Sequence, residues 1–409
     1  MPTFKPFAAL RPRNELAGEV SCLPYDVMDT EEAKSMASGN PLSFLHVVRA
    51  DIDVDSNGAK DNPALVEQKS SENFQSFVND GTLVRDTSPC LYIYEQNMDG
   101  FIMTGIVGLC SVRDYESDAI KKHEHTLPQK EEDRIRHFIA CGAQTEPVFF
   151  VYRNDEALFE VILGIRDSKE AEFDFVDDFG VNQKLWKVDE AGDIESIVSM
   201  LEAHSAFYIA DGHHRTASAA KISGYSQGKV QNEYVMATLF DEARVNILSY
   251  NRLLHDTAGL SEEEILSKLK ENFNVNKSTE SLPTPSRLHQ YSLYMGGKWH
   301  ILDAKDGSFD PGHPVEAIDA QIAQTLIFDK IFGIPDPRTD HRLSFAGGIR
   351  GLKYLKEQVD AGEALIGLAL YPVGMDQVAN VADMGMVMPP KSTWFEPKLR
   401  SGLFAYIYE

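Results

Sequence analysis

The stretch AFYIADGHHRTASAAKISG, residues 206–224, constrains the chain more than any other. Its apolar run, Phe207-Tyr208-Ile209-Ala210, has the composition of a buried strand. It stops at Asp211-Gly212, passes through His213-His214-Arg215, and resumes as small residues from Thr216 that suit a helix. A strand that passes into a helix through a glycine turn delivers the amides of the first helical turn, and the positive end of the helix dipole, to one spot. Such a spot accepts anions, phosphate among them. Gly212 allows the tight backbone, the helix is expected to begin near Thr216, and His213, His214 and Arg215 would flank a docked anion. An exposed turn capped by Asp211 is the plainer alternative, and the turn taken alone leaves both open. The pattern is neither GxxxxGK[ST] nor GxGxxG, so neither a P-loop nor a dinucleotide fold explains it.

Strand and helix patterns alternate around this turn. PVFFVY (147–152) and ALFEVIL (157–163) are β-rich runs expected to form a hairpin across Arg153-Asn154-Asp155. TSPCLYIYEQ (87–96) and GFIMTGIVGLCSV (100–112) read as paired strands joined at Asn97-Met98-Asp99-Gly100. PQKEEDRIRHFIACG (128–142) places Ile135, Phe138 and Ile139 on one helical face and ends in glycine, and DIESIVSMLEAH (193–204) is a second helix. VMATLF and NILSYNRLL are further strands, and SEEEILSKLKENF is a helix capped by Ser261. Beyond the polar stretch 276–287, read as a loop at a lobe boundary, come YSLYM and WHILD as strands, helices near 315–332 and 351–361, and the run ALIGLALYPV. The fold class is therefore mixed α/β, and 409 residues suffice for two or three domains or one multilobed unit.

Composition narrows the function classes. With 39 Lys plus Arg against 63 Asp plus Glu, the formal net charge is −24, a field that repels nucleic acid and anionic membranes. An anionic substrate would need a locally positive pocket. Cys22, Cys90, Cys110 and Cys141 are scattered without a CxxC pair, which suits reduced thiols. The opening MPTFKPFAALRPRNE has no apolar run of signal-peptide type, and no stretch of ~18 apolar residues suggests a membrane span. The expectation is a soluble cytoplasmic protein with neither nucleic-acid nor membrane partners.

Two more stretches concentrate reactive groups. In KKHEHTLPQKEEDRIR (121–136), Glu124 lies between His123 and His125, a setting suited to a general base, although an exposed acid ahead of a helix has the same pattern. In GMVMPPKSTWFEPKLRSGLF (385–404), Pro389-Pro390 stiffens the backbone before Lys391, Ser392 and Thr393, a cation and two hydroxyls suited to phosphate oxygens or to an ordinary surface loop. Neither histidine pair has the HExxH spacing, so a protein-held zinc is not expected. Mg²⁺ carried on a nucleotide needs fewer protein ligands.

PYDVMDTEEA, NPLSFLHVVR, HEHTLPQKEEDRI, FYIADGHHRTASAA and MPPKSTWFEPKLRSGL, in this order, resemble the domain of unknown function 1015 family. That family is related to the free L-serine kinases, whose catalytic core is a ParB/sulfiredoxin-like α/β fold. The resemblance implies such a core at 121–255, an N-terminal mixed α/β lobe at 1–120 and a C-terminal α/β lobe at 256–409. It matches the kinases' His-Glu pair at His123-Glu124, their D-G-H-H-R turn at Asp211 to Arg215, and their P-K-T-T element at Pro390 to Thr393 with Ser392 for the first Thr. Their "KP" strand opening is departed from at Glu146-Pro147, where the Lys is replaced.

The activity implied is transfer of a phosphoryl group from ATP or ADP, with Mg²⁺, to the hydroxyl of free serine. Glu124 would accept the hydroxyl proton, and Asp211 would orient substrate or Mg²⁺. Gly212, His213, His214, Arg215 and Thr216 would hold nucleotide phosphates together with Lys391, Ser392 and Thr393, and His123 and Thr126 would contact the substrate. The rival is a non-catalytic ParB-like nucleotide-binding regulator. Sulfiredoxin chemistry would need a cysteine in the turn, and this one has none.

Overall fold

The computed structural model describes residues 1–55, 62–226, 230 and 232–408. They fall into two units, both discontinuous in sequence. Unit 1 comprises residues 1–122, 126–245 and the segment from 397 onward, and unit 2 comprises 123–125 and 246–396.

A nine-stranded sheet organises unit 1. Its strands are β1 (Phe4–Lys5), β2 (Leu91–Met98), β3 (Phe101–Ser111), β4 (Ile120–Lys121), β5 (Val148–Tyr152), β6 (Phe173–Val176), β7 (Asn182–Val188), β8 (Phe207–Asp211) and β9 (Tyr234–Asp241). The spatial order is β4-β8-β5-β9-β3-β2-β7-β6, with β1 pairing β3 off that path. The β4–β8 and β5–β9 pairs are parallel and the others antiparallel, so the mixed α/β class is the one observed. The longest helices of unit 1 are α1 (Pro63–Asn79), α2 (Pro128–Cys141), α3 (Glu156–Asp167), α4 (Ala191–Glu202) and α5 (His213–Tyr225). Ile106, Phe150, Ile209 and Leu239 from adjacent strands share one buried cluster with Leu158 and Ile162 of α3 and Ile197 and Leu201 of α4. A second cluster joins Phe44, Phe74, Phe77 and Ala405 around α1.

The hairpin expected at 147–163 is not formed. ALFEVIL lies inside α3, because Asp155 caps the helix through the Leu158 amide (3.0 Å) and the buried residues Leu158, Ile162 and Ile165 recur at helical spacing. Strand β5 pairs instead with β8 and β9. The other expectations around it hold: β2 and β3 pair from Met98 opposite Phe101 outward, and α2 ends at Gly142 in the left-handed conformation (φ 66°).

Unit 2 carries a wholly antiparallel six-stranded sheet. Its strands are β10 (Tyr250–Leu254), β11 (Phe273–Lys277), β12 (Gln290–Met295), β13 (Lys298–Ala304), β14 (Leu343–Gly347) and β15 (Ile366–Leu370), in the order β11-β13-β12-β15-β10-β14. The run 246–254, read as one strand, is two: Ile247–Leu248 pairs Trp394–Phe395, while β10 joins the large sheet. Ser261 caps α6 (Glu262–Asn272) with a capping box, as its sequence predicts. The polar stretch 276–287 leads from β11 towards β12 within this unit.

Gly105 on β3 faces the ring of Phe240 on β9 so closely that a Cβ would stand 2.6 Å from Phe240 Cε1. Phe240 is itself packed on Phe149, ring centroids 4.6 Å apart. Gly105→Ala is therefore expected to cost about 1–3 kcal/mol in urea unfolding, and less in a Phe240→Leu background, where the opposing ring is gone. An equal cost in both backgrounds would assign the effect to the strand backbone.

Candidate functional site

Strand β8 delivers Asp211 to the turn, and Gly212 makes the reversal in one residue at φ 94°. A side chain there would be strained by that φ, and its Cβ would press on Val148 at 3.0 Å. Helix α5 begins at His213, three residues ahead of the expected Thr216, because the Thr216 amide already donates to the Gly212 carbonyl (2.9 Å) and closes the first turn. The Thr216 hydroxyl donates to the same carbonyl at 3.0 Å. His213, His214 and Arg215 thus form the first helical turn themselves, and no side chain caps the helix.

Each side chain of the turn has its own setting. The Asp211 carboxylate accepts the Gly212 amide at 2.8 Å and the Lys398 ammonium at 2.7 Å. Burial opposes its ionisation, but the charges of Lys398 and Arg215 prevail and hold the carboxyl well below the usual range. Arg215 is buried and donates to the Pro147 carbonyl; burial opposes its charge, and Glu146 and Asp211 keep it protonated. Burial pushes the His213 imidazole down to about 3 against the pull of Asp211, so the ring is neutral. His214 Nε2 accepts the Leu127 amide at 3.1 Å, which links the turn to the start of α2. Thr126, next to it, bonds the Glu131 carboxylate. Of the three residues flanking the turn's amides, then, Arg215 carries the positive charge, and the imidazole of His213 offers polar atoms without charge.

The remaining expected residues belong to unit 2. His123 is buried, and its carbonyl accepts the Met388 amide at 2.8 Å, which sets Glu124, partly exposed, beside the chain that runs into Pro389-Pro390. Lys391 adopts the left-handed conformation (φ 57°), uncommon for a lysine. Its carbonyl accepts Arg252 Nη2 at 3.1 Å, and its exposed ammonium lies 3.4 Å from the Tyr250 hydroxyl. The Ser392 hydroxyl donates to the Pro389 carbonyl at 2.7 Å and is engaged within its own loop, while Thr393 is half-buried.

Sequence reasoning did not assign Lys398, the cation that Asp211 binds. A signal was present: a second Pro-Lys dipeptide, Pro397-Lys398, follows Pro390-Lys391. It also passed over the setting of Glu146, whose wholly buried carboxylate accepts the Ser401 hydroxyl at 2.5 Å with Arg134 Nη1 4.0 Å away. Among the described residues no group of three or more His, Cys, Asp or Glu forms a metal cage.

Two outcomes follow from this electrostatics. The carboxyl of Asp211 is depressed in the folded state, so its contribution to stability is present above about pH 4 and lost as pH falls through the folded value. His213, held neutral, adds an acid-side loss that begins near the ordinary imidazole value of about 6.5. Lys398→Met is expected to lower stability at neutral pH by about 1.5–3 kcal/mol and to move the acid-unfolding midpoint to higher pH. An unchanged midpoint would remove Lys398 as the source of the shift. In the intact protein, NMR of the His213 ring protons should show no titration between about pH 5 and 8.

Comparison with known proteins gives the chain its relatives. Among curated proteins none matches. Among solved structures it is similar to a free serine kinase in complex with AMP, at 14% identity, with 70% of this chain and 86% of that chain covered and a TM-score of 0.37. It is similar to a conserved hypothetical protein from Pyrococcus furiosus, at 12% identity over 73% of this chain and 94% of that one, TM-score 0.37. It is also similar to SbnI with C-terminal truncation from Staphylococcus aureus, at 12% identity over 74% and 87%, TM-score 0.39. Residues 4–321, a span that includes the HEHT and DGHHR segments, match the family described as "Protein of unknown function (DUF1015)", and the chain belongs to that family.

Proposed function

We propose that this chain is a nucleotide-dependent small-molecule kinase that transfers a phosphoryl group from ATP or ADP to the hydroxyl of free L-serine, giving O-phosphoserine. The observation that carries the reading is the glycine-hinged passage from β8 into α5: an uncapped helix start, a charged Arg215 in its first turn and Asp211 held by Lys398 beside it. Backbone amides and a fixed guanidinium are what a polyphosphate needs, since phosphoryl transfer depends on positioning and charge neutralisation rather than on covalent catalysis. The second support is the His123–Met388 hydrogen bond, which brings together in unit 2 the HEHT and PPKST segments, distant in sequence.

In this mechanism Glu124 takes the proton from the serine hydroxyl as that oxygen bonds to the terminal phosphorus. The bridging P–O bond breaks, and the nucleotide leaves with one phosphate fewer. Amides of the first turn of α5 with His213, His214, Arg215 and Thr216, and Lys391 with Thr393 and Ser392, would hold phosphate oxygens; His123 and Thr126 would contact the acceptor. Asp211, held by one partner on each oxygen, the Gly212 amide and Lys398, would keep acceptor capacity to orient the substrate or the Mg²⁺ of the nucleotide. The described residues offer Mg²⁺ no cage of their own, and the ion would arrive on the nucleotide phosphates, whose charge it offsets.

The test is to incubate the protein with Mg²⁺, ATP or ADP, and a panel of free amino acids, and to follow phosphorylated products by mass. Turnover of serine is expected with at least one donor, and Glu124→Gln should lower it by about 10²–10⁴-fold while nucleotide affinity stays within a factor of about two. Nucleotide binding without turnover of any acceptor would replace the kinase by a nucleotide-binding regulator. Full activity in Glu124→Gln would remove Glu124 as the base.

A further inference from the structure

Unit 1 contains a cleft of about 580 Å³ between α1, α2 and the segment 25–51, and His214 of the DGHHR turn lines it. That volume lies within the range of small-molecule sites. Most charges in its walls are already matched. Arg136 is held by Glu67 and Asp133, and Arg49 by Asp51 and the carbonyls of Tyr25 and Met28.

Among the buried charges Arg134 is matched least well. Its side chain is only 12% exposed, yet Nε and Nη1 are buried without a hydrogen-bond partner among the described residues. The nearest carboxylate oxygen, Glu146 Oε2, stands 4.0 Å from Nη1, too far for a hydrogen bond, and is itself without a donor. The guanidinium is nonetheless fixed in place, stacked over the Tyr25 ring at 3.8 Å. A guanidinium that is held in place, with two of its nitrogens short of acceptors, can receive an oxyanion at the part of the group that lines the cleft. Asp26, exposed in the same cleft wall, adds a carboxylate next to Tyr25. With Lys130 also exposed in the wall, the cleft combines cations with the carboxylates of Asp26 and Glu146, a mixed lining that suits a zwitterion better than a polyanion.

We infer that this cleft binds an α-amino acid by its backbone groups, with the α-carboxylate on Arg134 and the α-ammonium on Asp26. The inference goes beyond the kinase reading, and the binding claim can be tested apart from turnover. Calorimetry should detect L-serine binding to the intact chain and show loss of affinity for L-serine methyl ester, which lacks the carboxylate charge. Arg134→Met should weaken L-serine by roughly 10- to 100-fold and leave ADP affinity unchanged. Arg134→Lys keeps a cation beside Glu146 and so guards against misfolding; it should fall between the two, with melting temperature as the control on both variants.

Serine binding that depends on Arg134, in a protein that transfers no phosphoryl group, would sink the kinase reading and sustain the site. Serine turnover with an unchanged KM in both variants would do the opposite. Weakened ADP binding with intact serine binding would assign the guanidinium to nucleotide phosphate and overturn the inference, as would failure of the wild-type protein to bind any amino acid tried.

Discussion

The ion pair between Lys398 and Asp211 joins positions 187 residues apart and closes the turn from which the candidate site is built. Its surroundings show why the pair matters. Burial opposes the charge of Asp211, and Lys398 together with Arg215 outweighs it; Arg215 in turn is held charged by Glu146 and Asp211. The same segment is stitched to unit 1 at several points: Ser401 to Cys22 and Glu146, Arg400 to Asp177, Ala405 to Leu10, and Tyr406 to Gln144. Residues from 397 onward therefore serve as a strap, and the Asp211 turn owes its electrostatics to it.

That arrangement also reconciles a formal charge of −24 with anion chemistry. The acids near the turn are largely committed. Glu131 is taken by Lys221, Asp177 by Arg400 and Asp211 by Lys398. What remains locally is Arg215 with the amides of the first turn of α5, and Arg134 in the neighbouring cleft, each within reach of the buried Glu146. Long-range repulsion is screened over a Debye length of roughly 8–10 Å, so the nearby groups decide what binds.

How far the sequence could be read depended on whether the deciding interactions were local. The β2–β3 hairpin, α2 with its terminal Gly142 and the Ser261 capping box of α6 were all legible, because alternation, helical spacing and caps act within a few residues. ALFEVIL was misread because seven mostly apolar residues fit either a strand or a buried helix; Asp155 as a cap was the local clue that settled it. The start of α5 was placed too late because His213, His214 and Arg215 look like loop polarity until Gly212 takes a positive φ and lets the helix begin at once. Lys398 could not be paired from sequence, since nothing local distinguishes it from Lys391.

By itself the sequence determined the α/β class, the strand-turn-helix at 207–225 and the family, since each rests on residue types and spacings along one stretch of chain. Tertiary structure alone decided the charge states at that turn and the unsatisfied guanidinium of Arg134. Protonation follows from burial and from partners that folding brings in, such as Lys398 for Asp211 and Glu146 for Arg215. Neither quantity exists before the chain has closed on itself.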